Sequence, residues 1–160
     1  GVEITTYKDI ISLRRTSNPK PVQAVLDFSA FPDLAQCYLA TLVGLNYGQM
    51  LTGLKTLRWK ETDRIDGMLR NIELLGGCLK EIEPDSISTA THSNLKPASL
   101  SMLDDHRMAF ALIPLAVVTR YLIVDDPNVV SKSYPRFIEH IKMAGFSVKD
   151  IESLPYHSIE

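Results

Sequence analysis

The densest polar stretch in the sequence is Leu57-Arg58-Trp59-Lys60-Glu61-Thr62-Asp63-Arg64-Ile65. It falls at a strand-to-helix junction, where free backbone N–H groups and the helix dipole favour anions. Lys60 and Arg64 bracket the helix start, and such a cation pair suits a phosphate or carboxylate, with Arg able to bind in bidentate fashion. The competing reading is a solvated helix start at which Glu61 and Asp63 complement the dipole. A second stretch, Asp104-Asp105-His106-Arg107, opens a helix that is otherwise apolar. Asp104 and Asp105 can serve there as N-caps, whereas His106 and Arg107 must reach solvent or find anionic partners. Lys132 precedes a further helix, and Asp33, after Phe31-Pro32, stands at the start of the first. Each alone is weak, since an Asp at a helix start is commonly a cap. Charged groups at four helix starts in a repeated layout are better evidence for an anion site than any one of them, and the solvated-start reading stays open.

The elements that must carry these residues alternate. A helical stripe of Leu34, Ala35, Tyr38, Leu39, Leu42 and Val43 follows Pro32 and stops near Gly44 to Gly48. A second helix follows Thr62 as its N-cap, with Ile65, Met68, Leu69, Ile72 and Leu75 on one face and Gly76-Gly77 at its end. A third runs from Asp104 or Asp105 to Thr119 and is apolar nearly all round, as a buried helix is. The fourth begins at Pro135 and ends at Gly145. Strands are predicted at 22–28, 53–57, 78–82, 86–90, 121–124 and 146–148, and loops at 12–21 and 92–98. Alternating strands and helices imply an α+β architecture built of α/β layers.

The polar landmarks repeat. Asp33 and Asp105 each open a helix and lie 72 residues apart, as do Lys60 and Lys132, each of which precedes the next helix. The second helix ends in Gly-Cys-Leu-Lys-Glu-Ile-Glu from Gly77, and the fourth in Gly-Phe-Ser-Val-Lys-Asp-Ile-Glu from Gly145. Two copies of a strand–helix–strand–helix unit account for these matches.

Composition narrows the function classes. The 160 residues are 45% hydrophobic and 22% charged, usual for a globular chain, and the formal net charge of −2 provides no basic field for nucleic acid. Cys37 and Cys78 cannot form a disulfide framework and have no zinc-site spacing, so buried, inert thiols in a reducing, cytoplasmic setting are expected. His92, His140 and His157 lack partner spacing and are expected at the surface. The apolar run from Met108 to Val118 is too short to cross a bilayer and contains Pro114, so no membrane partner is expected. The start, Gly1-Val2-Glu3-Ile4, has neither a signal-type apolar core nor an initiator Met, which leaves room for the chain being a piece of a larger one. No Walker or Rossmann glycine loop is present.

Taken together, the stretch at 57–65, Phe-Pro-Asp-Leu-Ala at 31–35, Asp-His-Arg-Met-Ala at 105–109 and Ser-Lys-Ser-Tyr-Pro at 131–135 resemble the signatures of the 3-phosphoshikimate 1-carboxyvinyltransferase (EPSP synthase) family, in register over about 22–148. The resemblance implies an enzyme of the shikimate pathway, leading to chorismate and the aromatic amino acids. Its members transfer enolpyruvyl from phosphoenolpyruvate to the 5-hydroxyl of shikimate 3-phosphate and release phosphate, with no metal or organic cofactor. It implies that Arg64, Arg107 and Lys132 bind the carboxylate and phosphate of phosphoenolpyruvate. Lys60 is implied to contact the shikimate hydroxyl region and assist protonation, Asp33 to act as general base, Glu61 as proton donor to carbon, and His106 to position them. Thr56 matches a position that contacts the phosphoshikimate and is Asn in some members, so the detail of that contact departs from the pattern.

The resemblance also implies a two-domain protein built of βαβαββ-type units in an inside-out α/β barrel, with its active site in the interdomain cleft. This chain then corresponds to part of the C-terminal domain over 1–148, in units of about 1–76 and 77–148, followed by a tail over 149–160. The N-terminal Lys motif, the Gly-rich segment and the Ser and Gln residues that grip shikimate 3-phosphate have no counterpart here. The isolated chain is therefore expected to be inactive and to expose apolar surface through which it can self-associate, whereas the full-length enzyme is expected to be a monomer. Two alternatives stay open on sequence: the sister transferase acting on a UDP-amino sugar, and a non-catalytic anion-binding module.

Overall fold

The computed structural model describes residues 2–16, 25–91 and 94–150. In chain order they form β1 (Val2–Tyr7), β2 (Ile10–Arg15), β3 (Val25–Asp27), α1 (Ala35–Leu45), β4 (Met50–Thr52), α2 (Arg64–Leu74), β5 (Leu79–Glu83), β6 (Ser86–Thr89), β7 (Ser99–Leu100), α3 (His106–Leu112), α4 (Ala116–Thr119), β8 (Ile123–Val124) and α5 (Phe137–Met143). Helices and mixed sheets make an α+β fold. Strands β3 and β4 pair in parallel across α1, β6 joins antiparallel to β4, and β5 closes the order β3-β4-β6-β5. Strands β7 and β8 pair in parallel across α3 and α4, as β3 and β4 do across α1. The pairing of β6 with β4 attaches residues 79–89 to the first of these runs.

The core forms where α1 packs on α3 and on the four-stranded sheet, which α2 also meets at β5. Leu39, Leu51, Leu54, Leu57, Ile72, Ile87, Met108 and Leu112 are all fully buried, each contributing about 1.5–3 kcal/mol by removal from water. Gly67 of α2 lets that helix approach the α3 region closely, since a Cβ there would lie 2.6 Å from Met108 Cε and 2.7 Å from Leu103 Cδ1.

The hairpin β1–β2 carries exposed apolar side chains on both faces, with Tyr7 opposite Ile10 on one and most of the aliphatic residues on the other. Its register puts Ile4 opposite Leu13 and Thr6 opposite Ile11, so Val2, Ile4, Ile11 and Leu13 share a face, and all four are exposed. The opposite face carries the Glu3–Arg14 ion pair.

Several sequence expectations change. Residues 53–57 are not a strand: β4 ends at Thr52, Gly53 takes φ +73°, and Lys55–Trp59 winds as a 3₁₀ helix that buries Leu54 and Leu57, one such turn apart. Residues 12–15 belong to β2 and not to a loop, while 17–24, covering the rest of that expected loop and the start of the expected strand at 22–28, lie outside the described residues. The third helix is broken at Pro114, which lacks an N–H and clashes with the preceding turn. Helix α3 ends at Leu112, a 3₁₀ turn spans Ile113–Leu115, and Val117 of α4 is exposed. The left-handed residue closing α1 is Asn46, at φ 59°, and not a glycine. Helix α5 starts two residues after Pro135. Residues 146–148 form no strand. No helix among the described residues is long and apolar enough to cross a membrane.

Candidate active site

Asp33 occupies a 3₁₀ turn, Pro32–Leu34, that leads into α1. Three cations from three different elements converge on it. Arg64 Nη1 donates to Asp33 Oδ1 at 2.9 Å, Lys60 Nζ lies 3.3 Å from the same oxygen, and Arg107 Nη2 lies 3.5 Å from Oδ2. Arg107 Nη1 also donates to the Asp33 carbonyl at 3.2 Å. Burial alone would raise the pKa of this carboxyl. The Lys60 hydrogen bond and the charges of Arg107, Lys60 and Arg64 outweigh it and hold the group below the ordinary 3.8. Asp33 is a secured carboxylate.

Arg64, the first residue of α2, is the buried centre of the cluster, with its side chain 1% exposed. Nε donates to Asp105 Oδ2 at 2.6 Å and Nη2 to Asp105 Oδ1 at 3.2 Å. Nη2 also reaches Glu61 Oε2 at 2.7 Å. With the bond to Asp33, four of the five guanidinium N–H groups are engaged. One Nη1 hydrogen is left without an acceptor among these bonds, so Arg64 is mostly committed to its three carboxylates.

Asp105, fully buried, caps α3 by accepting from Arg107 N at 2.9 Å while it holds Arg64. The loop that delivers it is fixed from two sides. Asn71 of α2 exchanges hydrogen bonds with the Ser101 backbone at 2.9 and 3.0 Å. Asp125, beyond β8, accepts from Met102 N at 2.8 Å and Ser101 Oγ at 2.6 Å. Burial works against the Asp125 charge, and those donors overcome it, keeping its pKa low.

Leu103 and Asp104 then turn through left-handed φ values of 54° and 55°, and the Asp104 carboxylate meets Lys132 Nζ at 2.6 Å. That bond raises the Lys132 pKa. Lys60 follows one 3₁₀ helix, Lys55–Trp59, and Lys132 ends another, Pro127–Lys132, so the two lysines have matching local settings.

Asp33, Lys60, Glu61, Arg64 and Arg107 are thus joined in one ion network. Lys132 is held one step away, on Asp104. Thr56 is exposed on its 3₁₀ helix. His106 is half-buried and packs edge-on against Phe110 at 5.8 Å, at the end of an aromatic row continuing to Phe137 and Tyr134.

One contributor escapes a sequence reading. Asp105 reads as a simple cap, yet it is the main partner of Arg64, 41 residues away. The shared 72-residue spacing of Asp33 and Asp105, both on Arg64, is the signal that points to it. His140, expected at the surface, is half-buried with Nδ1 2.6 Å from the Tyr134 hydroxyl. The cap of α2 is Asp63 and not Thr62, because Asp63 Oδ1 accepts from Asp66 N at 3.0 Å. Cys37 is exposed and Cys78 half-buried, contrary to the expectation of two buried thiols. His92 and His157 lie outside the described residues.

Four cations (Lys60, Arg64, Arg107, Lys132) and four carboxylates (Asp33, Glu61, Asp104, Asp105) balance one another here.

Comparisons with known proteins agree on the family. The family model of EPSP synthase (3-phosphoshikimate 1-carboxyvinyltransferase) matches residues 1–141. A 3-phosphoshikimate 1-carboxyvinyltransferase of Bacteroides fragilis is 37% identical over 126 residues, covering 77% of this chain and 30% of its own length. One from Methanosarcina mazei is 34% identical over 154 residues, covering 94% of this chain and 35% of its own. The solved EPSP synthase of Acinetobacter baumannii shares the fold with a TM-score of 0.66 at 22% identity, over 74% of this chain and 28% of that one. The chain spans about a third of the length of the curated relatives it matches. With a family model covering most of its residues, this chain belongs to the EPSP synthase family.

Proposed function

We propose that the chain forms one wall of the active site of a longer enzyme, which transfers enolpyruvyl from phosphoenolpyruvate to the 5-hydroxyl of shikimate 3-phosphate. The observation that carries this reading is the convergence of Lys60, Arg64 and Arg107 on Asp33. Phosphoenolpyruvate bears charge on two separate groups, so it needs several cations at different angles, and these come from three elements. Addition of an alcohol across its double bond removes a proton from the hydroxyl and delivers one to carbon. Asp33, held ionised, is the acceptor for the first, and the second comes from the Lys60 ammonium or from Glu61 once it has itself taken up a proton. Pre-placed Arg64, Arg107 and Lys132 stabilise the anionic tetrahedral intermediate without reorganisation. Arg64 also orients Asp33, Glu61 and Asp105, which engage most of its donors.

In this reading the chain comprises most of a C-terminal domain, with a tail after 148. Shikimate 3-phosphate is gripped mainly from the other domain, and the 160-residue chain alone turns over neither substrate. The test is phosphate release from phosphoenolpyruvate by the full-length protein. Release that requires shikimate 3-phosphate supports the proposal, and release that requires a UDP-amino sugar contradicts it. Measurable turnover by the isolated chain would contradict the assignment of the missing groups.

A further inference from the structure

Arg58 stands outside the ion cluster but grips the segment that supplies two of its members. Nη1 donates to Asp63 Oδ2 at 2.9 Å, Nη2 to Glu81 Oε1 of β5, and Nε to the Pro84 carbonyl at 3.4 Å. The other Asp63 oxygen, Oδ1, accepts from Asp66 N at 3.0 Å and caps α2. One carboxylate therefore joins the helix cap to the Arg58 clamp, and the clamp is anchored on the β5–β6 hairpin.

Residues 59–62 are the span between the two ends of the Arg58–Asp63 pair. Lys60 leaves this span to reach Asp33, and Glu61 leaves it to reach Arg64. The span has little apolar hold of its own: Trp59 is 81% exposed, Lys60 and Glu61 are exposed, and Thr62 is half-buried. Its shape is thus set by polar ties at its ends. Arg58 supplies the tie at the N-terminal end, through a planar fork that fits two carboxylates at once.

We propose that Arg58 is a positioning residue, which ties the 59–62 span to the β5–β6 hairpin so that Lys60 and Glu61 both reach the Asp33–Arg64 pair. Its kinetic consequence rests on the proposed function, whereas its structural consequence does not.

In the 160-residue chain, R58Q is expected to speed amide hydrogen exchange over 59–66 by at least about fivefold while α1 is unchanged. R58K, which keeps the charge without the fork, is expected to fall between R58Q and the parent. In the full-length enzyme, R58Q is expected to lower kcat per folded molecule by about ten- to a hundredfold. The KM for phosphoenolpyruvate should stay within about threefold of the parent. Unchanged exchange over 59–66 would overturn the proposal, and so would equal acceleration in α1, which would mark Arg58 as a general stabiliser. Should R58Q not fold, E81Q loosens only the outer anchor and is expected to act in the same direction with smaller size; no change over 59–66 in E81Q would overturn it equally. A parent enzyme without turnover contradicts the proposed function, while the exchange measurement still decides the role of Arg58.

Discussion

Arg64 Nε and Asp105 Oδ2 lie 2.6 Å apart with both side chains shut off from solvent, 1% and 0% exposed. The pair ties the start of α2 to the start of α3. A buried pair of this kind does little for stability against an apolar replacement, but removing one partner strands the other charge. Its main consequence is geometric: it fixes the guanidinium so that the remaining nitrogens face Asp33 and Glu61.

Asp105→Asn isolates that charge, because Asn caps a helix about as well as Asp. The variant is expected to lose about 1–3 kcal/mol of unfolding free energy, less than a stranded charge would cost because Asp33 and Glu61 still face Arg64, read from the urea midpoint of the 160-residue chain. A loss below about 1 kcal/mol would mean that solvent reaches Arg64 and that the pair is not buried in solution.

The carboxyl of Asp33 is expected to titrate below its ordinary 3.8 in the folded chain. A depressed folded-state pKa contributes stability that is present above the unfolded value and is lost as pH falls through the folded one. That contribution therefore fades only below pH 3.8. Carbon-detected NMR of the carboxyl reads the midpoint directly. Lys60→Met removes the hydrogen bond that lowers it and is expected to move the midpoint upward, while an unmoved midpoint would show that Lys60 does not reach Asp33 in solution.

Gly53 connects β4 to the 3₁₀ helix in a left-handed conformation, φ +73°. A Cβ there would overlap Asp27 Oδ1 and the Ser29 backbone and hydroxyl, which are joined by hydrogen bonds of 2.9 and 2.6 Å. Gly53→Ala is expected to cost about 1–3 kcal/mol and to lower the melting temperature. A neutral substitution would mean that the Asp27–Ser29 turn yields without cost.

The helix starts bearing Asp33, Lys60, Arg64 and Arg107 were legible because unpaired N–H groups and clustered charge are local features. Their convergence was legible only through family motifs and the 72-residue spacing. What stayed hidden was tertiary. Asp105 finds Arg64 across 41 residues and Arg58 finds Glu81 across 23, and no local pattern encodes either pairing. The segment 53–57 looked like a strand because Leu54 and Leu57 are apolar, but the left-handed Gly53 ends β4 first and their three-residue spacing suits a 3₁₀ turn. Pro114 was visible in the sequence, yet the run of apolar residues around it outweighed its effect as a breaker.

The most direct test of the central claim is the kinetic effect of Asp33→Ala in the full-length enzyme, with phosphoenolpyruvate and shikimate 3-phosphate as substrates. If Asp33 is the base that Lys60, Arg64 and Arg107 hold ready, kcat falls by about 10²–10⁴ while substrate affinity changes little. Equal losses in rate and affinity would contradict that account, and would make the cluster a binding site without proton transfer.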